Sequence, residues 1–225
     1  MAKEHGIAGE WARVKGTVLG LWPLFLGLLA LGFFAALTYF VSFAWGGLAF
    51  LLTVVFLCWC FARGLNHIER FYKGARGEER VAQLLRELPD RYHIFNDFVA
   101  EGHHVDHVVV GPAGVFAVET KNWSGNVTIE DNHILVSGEL PSRPPLTQVL
   151  HEATHVKNEL ARLGWKGTVT PVLAFASDTF YAHRAEIKGV VILNSCELIT
   201  AFETERVVMP PAELERLVSL METKA

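Results

Sequence analysis

Between Lys15 and Arg63 the chain contains no Asp, Glu, Lys or Arg, and the stretch is crowded with Leu, Phe, Val, Ala and Trp. An α-helix needs roughly 20 apolar residues to cross a hydrocarbon core, and this run is about twice that length. Two transmembrane helices are therefore expected, near Val18 to Phe40 and Phe43 to Phe61, with a very short link around Ser42. Pro23 and Gly46-Gly47 are tolerable in membrane helices, and Trp22, Tyr39, Trp45 and Trp59 lie towards the ends, where amphipathic rings favour the interface. One long buried helix is the competing reading. A cleaved signal peptide with Ser42-Phe43-Ala44 as its small-residue site is another, but the first apolar run is too long for it and a second follows at once. Lys3, Arg13 and Lys15 precede the run, and Arg63, Arg70, Lys73 and Arg76 follow it, so the positive-inside rule puts both ends in the cytoplasm.

What remains of the 225 residues suits one ordinary domain. The expected organisation is a cytoplasmic N-terminus at 1–17, two spans within 18–62, a linker or helix extension at 63–73, and a domain at 74–225. Val81, Leu84, Leu85 and Leu88 fall at helical spacing, and Pro89-Asp90 ends that amphipathic helix. Tyr92 to Val99 reads as a strand, and Asn126 to Glu130 and Ile134 to Val136 as short strands about an Asp131-Asn132 turn. A Pro-rich stretch opens a helix from about Leu146 to Leu163, closed by Gly164. Val169 to Ala176 and Gly189 to Leu193 supply late strands, and Pro211 to Met221 a final helix. Cys58, Cys60 and Cys196 read as small apolar fillers, with no disulfide framework.

The centre of the domain is Asp106 to Gly125, DHVVVGPAGVFAVETKNWSG. Two β-branched-rich runs joined by Gly111-Pro112-Ala113-Gly114 predict an antiparallel hairpin. If that link is the whole loop, Val110 faces Val115, and counting back places Asp106 opposite Glu119. Side chains alternate along a strand, so Lys121 shares the Glu119 face and Thr120 points away. Two carboxylates facing each other destabilise a hairpin unless a cation lies between them. A hard divalent metal satisfies that demand, with a neighbouring Lys to orient a water or stabilise a phosphate. The spacing alone also fits a solvated edge hairpin whose Lys121 neutralises its Glu119.

These residues carry a resemblance. Gly77-Glu78 with Val81, then Asp106-His107-Val108-Val109-Val110-Gly111-Pro112, Gly114-Val115-Phe116, Glu119-Thr120-Lys121-Asn122 with Gly125, and Gln148 on a later helix resemble the nuclease-related domain (NERD) family, within the PD-(D/E)XK nuclease superfamily. The resemblance runs from about Gly74 to about Leu163. Val105 stands where the superfamily has Pro, and Thr120 is the middle residue of its ExK motif; neither alters a ligand. The resemblance implies an α/β, restriction-endonuclease-like core of helix, three antiparallel strands, helix and strand. It also implies a Mg²⁺-dependent (or Mn²⁺-dependent) nuclease acting on DNA or RNA. Asp106 and Glu119, with the Thr120 carbonyl, would hold the metal; Glu78 would reach the metal or its water; Lys121 would orient the water; Gln148 would hydrogen-bond nearby. Such cores also serve as binding modules without catalysis, at a membrane as elsewhere, and that reading stands as the alternative.

A rival motif is His151-Glu152-Ala153-Thr154-His155, which spells the H-E-x-x-H of zinc metalloproteases. No third ligand is evident among Glu186, Glu197 and Glu203, and the residues read more simply as exposed polar positions of a helix. His103, His104 and His107 crowd around Asp106, but alternation sends His104 to the acidic face and His107 to the other. From Arg63 onward there are seventeen Lys and Arg against twenty-two Asp and Glu. A basic footprint is the usual sign of phosphate binding, so tight nonspecific nucleic-acid binding is not expected.

Overall fold

A computed structural model describes residues 1–40, 43–177, 180 and 184–224. The expected link at Ser42 lies outside the described residues. The chain divides into two compact units, one of Trp11–Lys73 and the other of Met1–Glu10 together with Gly74–Ala225.

The first unit consists of α1 (Glu10–Phe40) and most of α2 (Phe43–Leu85). Both helices are long and apolar enough to cross a membrane, with apolar windows of mean hydropathy 2.2 and 2.1. Only 11% and 17% of those windows is buried, whereas the core helix of a soluble protein would be mostly covered. The two helices approach closely through glycines. A Cβ added at Gly20 would meet Ile68 Cγ1 at 2.3 Å, and one at Gly27 would meet Leu57 Cδ2 at 1.9 Å. Small residues that let helix backbones approach are the usual means of packing where apolar burial offers no driving force. Residues 63–73 are helical and run on into the last turns of α2, past Gly74 and Gly77. A helix interior tolerates single glycines at about 1 kcal/mol each, so neither one ends it. The helix stops at Leu85 instead of Leu88, although Leu88 stays fully buried.

The second unit is built on a seven-stranded sheet. Its strands are β1 (Lys3–His5), β2 (His93–Ala100), β3 (His103–Gly111), β4 (Gly114–Lys121), β7 (Val169–Phe175), β8 (Arg184–Ile187) and β9 (Val190–Asn194), in the spatial order β1-β2-β3-β4-β7-β9-β8. β2, β3 and β4 are antiparallel; β7 lies parallel to β4 and is reached through α3 (Pro145–Arg162). With the end of α2 in front, this is the expected order of helix, three antiparallel strands, helix and strand. A separate hairpin of β5 (Val127–Glu130) and β6 (His133–Val136) turns at Asp131 and Asn132, both at positive φ, as a two-residue hairpin loop requires.

The sheet is covered on both faces. One core joins Phe95, Val108 and Ala117 to Val156 and Leu160 of α3 and to Leu214 and Leu217 of α5 (Pro211–Glu222). The other joins Ile94, Val109 and Phe116 to Val81 and Leu85 of α2 and to Leu198 and Phe202 of α4 (Leu198–Thr204). Among the described residues, β1, β8 and α4 escape the sequence reading. β1 is three residues of unremarkable composition, β8 (RAEI) is four residues with one apolar anchor, and α4 is seven residues long; each is too short for periodicity to register. Within the expected N-terminal segment 1–17, β1 pairs in parallel with β2 through Lys3↔His93, Glu4↔Ile94 and His5↔Phe95.

Candidate active site

The hairpin register is the one counted from the sequence: Val110 pairs with Val115, Val109 with Phe116, Val108 with Ala117 and His107 with Val118. Gly111 and Gly114 also pair, so the loop itself is Pro112-Ala113. Beyond His107↔Val118 the Asp106 side chain takes over, its carboxylate accepting the Thr120 backbone N–H at 2.8 Å. The first acid is thereby fixed against the strand that bears Glu119.

Glu119 is almost fully buried and accepts hydrogen bonds from two donors: Lys121 Nζ and, at 2.7 Å, Gln148 Nε2. Lys121 Nζ also donates to Gln148 Oε1 at 2.9 Å. Gln148 therefore spans the Glu119–Lys121 pair from α3, using both ends of its amide. Its Nε2 donates again, at 2.9 Å, to Glu152 Oε1 one helical turn on. Glu78 comes from the last turns of α2, well past the apolar segment that ends at Phe61. The helix can lie so close only because position 77 is glycine: a Cβ there would fall 2.6 Å from Asn122 Cβ. All five residues expected at the site, Glu78, Asp106, Glu119, Lys121 and Gln148, are brought together.

Two further acids join them. Glu152 is buried, and its Oε2 has no hydrogen-bond partner. This corrects the reading of H-E-x-x-H as exposed helix polarity at Glu152, while His151 is exposed as expected. The i, i+4 spacing from Gln148 was the available signal, because it puts Glu152 on the same helix face. Asp97 lies between the pairs Asn96↔His107 and Phe98↔Val105, which puts it across from Asp106, and its φ is 52°. A left-handed non-glycine residue stores strain of the kind found at functional sites. His104 meets Asp97 at 2.9 Å, while His107 is wholly buried with its Nδ1 2.7 Å from Asn96 Oδ1. Burial pushes the His107 imidazole down to about 3, so it is neutral. His104 thus touches the acidic face and His107 does not, as alternation requires.

The electrostatics record an excess of negative charge. Burial, then Glu119 and Asp97, raise Glu78 to about 7, against the pull of Lys121 and a backbone hydrogen bond from Gly9. Burial, then Glu119, raise Glu152 to about 9. Asp106 is held well above the usual carboxylate range by burial first and then by Glu119, Glu78 and Glu152. Burial by itself lowers Lys121, but the attraction of Glu119, Asp106 and Glu152 prevails and the ammonium is stabilised overall. Unit charges about 4 Å apart interact by roughly 4 kcal/mol at an effective dielectric of about 20, so one lysine cannot keep all of these acids ionised and some hold their protons until a cation arrives. Oxygen donors, crowded negative charge and an unpartnered buried carboxylate oxygen are what a hard divalent cation fits. Among the described residues, no three of these acids bring ligand atoms within 4.8 Å of one another; the group that does is His5, His93 and Glu222.

The zinc-protease motif does not assemble. His155 Nδ1 is 2.8 Å from Glu101 and its ring stacks on His103 at 4.1 Å, while His151 is exposed. Among the described residues, neither belongs to a group of three candidate metal ligands.

Residues 73–176 match the family model of the nuclease-related domain, a span that holds all of these side chains. Over 66 residues the chain is 33% identical to an uncharacterized protein of Bacillus anthracis, a match covering 27% of this chain and 31% of that protein. No solved structure matches.

Proposed function

From the nuclease-related domain at residues 73–176, we propose that this chain is a membrane-anchored, divalent-metal-dependent nuclease that hydrolyses phosphodiester bonds of DNA or RNA. The observation that carries the reading is the contact set in which Lys121 and Gln148 both hold Glu119 while Asp106 is fixed to the Thr120 amide.

Asp106 and Glu119 are the residues that would hold Mg²⁺ or Mn²⁺, with Glu78 approaching from α2. When bound, such an ion supplies Lewis-acid polarisation of a phosphate oxygen and neutralises charge that develops on it. Lys121 stays protonated in its acidic surroundings, so it acts as a donor: it orients a water or a phosphate oxygen and does not take up a proton. Gln148 holds Lys121 and Glu119 in register through its two bonds. Glu152 fastens the far side of Gln148 and, on giving up its proton, supplies charge that favours a cation.

Anchoring rests on the two apolar helices, and orientation on a feature of the second unit. Met1–Glu10 and Gly74–Ala225 belong to one folded unit, and β1 is hydrogen-bonded into its sheet. The segment before α1 and the domain after α2 therefore lie on the same side of any membrane, which calls for an even number of crossings. The basic flanks make that side the cytoplasm.

The test is to incubate the full chain in detergent with labelled DNA and RNA, in Mg²⁺, Mn²⁺ or EDTA. Cleavage of either substrate that EDTA abolishes is expected. Metal binding without cleavage of any substrate would favour the silent binding module.

A further inference from the structure

On the far edge of the sheet from β8, three potential metal ligands meet that the nuclease chemistry does not use. His5 ends β1, His93 begins β2, and Glu222 is the last residue of α5. His5 Nε2 lies 3.4 Å from His93 Nδ1 and 3.7 Å from Glu222 Oε1, and one ligand atom from each of the three lies within 4.8 Å of the others. The His5 ring is braced from the side by stacking on Phe95 at 4.5 Å.

We propose that His5, His93 and Glu222 form a site for a tetrahedral transition-metal ion, zinc foremost, that clamps the first strand to the sheet and to the last helix. As hydrogen bonds the two contacts are poor. Normal N–H···O distances run to about 3.2 Å, and one His5 Nε2 cannot donate a single proton to two partners. As edges of a coordination shell they fit. With zinc–nitrogen bonds of about 2.0–2.1 Å, two nitrogens of a tetrahedron stand about 3.4 Å apart. Two imidazoles and one carboxylate select zinc, cobalt or nickel over magnesium, which prefers all-oxygen donors. Three protein ligands leave a fourth position, and it opens to solvent, since the Glu222 side chain is 47% exposed.

The clamp bears on the acidic site through the chain. β1 is held by three residue pairs with β2 and by the Glu4 carboxylate, which accepts from Arg86 and Asn96, and the segment it anchors runs on to Gly9, whose backbone polarises Glu78. An ion at His5 therefore steadies the partner of Glu78 as well as the strand.

The full chain in detergent, freed of metal, is titrated with Zn²⁺ and with Co²⁺. One ion per chain is expected, with the visible absorption of tetrahedral cobalt. His5→Ala and Glu222→Gln, both at accessible positions, should weaken Zn²⁺ binding by more than the roughly 10–100-fold that loss of an outer partner costs. Zn²⁺ should slow hydrogen exchange at the amides of Lys3 to His5 in the parent and not in His5→Ala. Glu119→Gln and the His151→Ala, His155→Ala double variant should keep the zinc. No stoichiometric zinc in the parent, equal affinity in His5→Ala, or loss of zinc only in the double variant would each overturn the proposal.

Discussion

Gln148 and Glu152 stand one turn apart on α3, and the 2.9 Å bond from the Gln148 amide to the Glu152 carboxylate ends a contact chain that starts at Lys121. The helix is thereby tied to β4 through polar groups in a largely buried setting. Deleting Gln148 removes hydrogen bonds to the Lys121 ammonium and the Glu119 carboxylate but leaves that pair itself in contact, so the net effect on the reaction is about 1–2 kcal/mol. Gln148→Ala should therefore lower the cleavage rate by roughly tenfold, much less than loss of an acid. Glu152→Gln keeps the shape and removes a carboxyl that can ionise when a cation binds, so it should weaken Mg²⁺ binding in calorimetry while leaving the melting temperature at neutral pH close to the parent's.

The raised carboxylates set a pH dependence. In the fold Glu78 keeps its proton to about pH 7 and Glu152 to about pH 9, whereas unfolded both release it near 4.5. Above pH 4.5 the unfolded chain is the one that has lost protons, so the stability these groups give is full below that pH. It drains away as the pH passes 7 and then 9. The melting temperature of the metal-free chain should fall by several °C, roughly, between pH 5 and pH 9, and Glu152→Gln should flatten the upper part of the fall.

Metal binding should follow the opposite course, because protons on Asp106, Glu78 and Glu152 compete with the cation for the same oxygens. Mg²⁺ affinity by calorimetry is expected to tighten steadily from pH 6 to pH 9. Lys121→Ala should hold or raise that affinity, since it removes a competing positive charge.

Much of this site was legible in the chain. The Val110↔Val115 register follows from a four-residue turn segment and period-2 alternation, and it carries Asp106, Glu119 and Lys121 to one face without any knowledge of the sheet. Gln148 and Glu78 came only through the family resemblance, because their approach depends on how α3 and α2 pack across the strands. Asp97 and Glu152 were missed for related reasons. The left-handed backbone at Asp97 leaves no mark on composition, and Glu152 sat inside a motif that suggests different chemistry. β1 escaped because its partner strand lies nearly ninety residues away, beyond the reach of any local pattern.

Topology gives an independent prediction. Reporter fusions at the N-terminus and C-terminus of the chain should both report from the cytoplasm. An N-terminal reporter on the outer side would contradict the pairing of β1 with β2 as well as the positive-inside reading.

Nucleic-acid binding should be weak without metal. The polar part of the chain is net acidic, and crowded carboxylates repel phosphate, so binding of labelled DNA or RNA in EDTA should be slight and Mg²⁺ should strengthen it. Tight binding in EDTA would point to a basic surface that acts apart from the acidic site.

The central claim is that the Asp106, Glu119 and Lys121 cluster cuts phosphodiesters with a divalent metal. Single-turnover cleavage of a labelled substrate in Mg²⁺, by the parent and by Asp106→Asn, Glu119→Gln and Lys121→Ala chains of equal melting behaviour, tests it most directly. No detectable cleavage is expected for the two acid variants and a rate reduced by about 10²–10³ or more for Lys121→Ala, as for loss of a charge-stabilising donor. Cleavage that persists unchanged in Glu119→Gln, or a parent chain that cuts neither DNA nor RNA in Mg²⁺ or Mn²⁺, would contradict it.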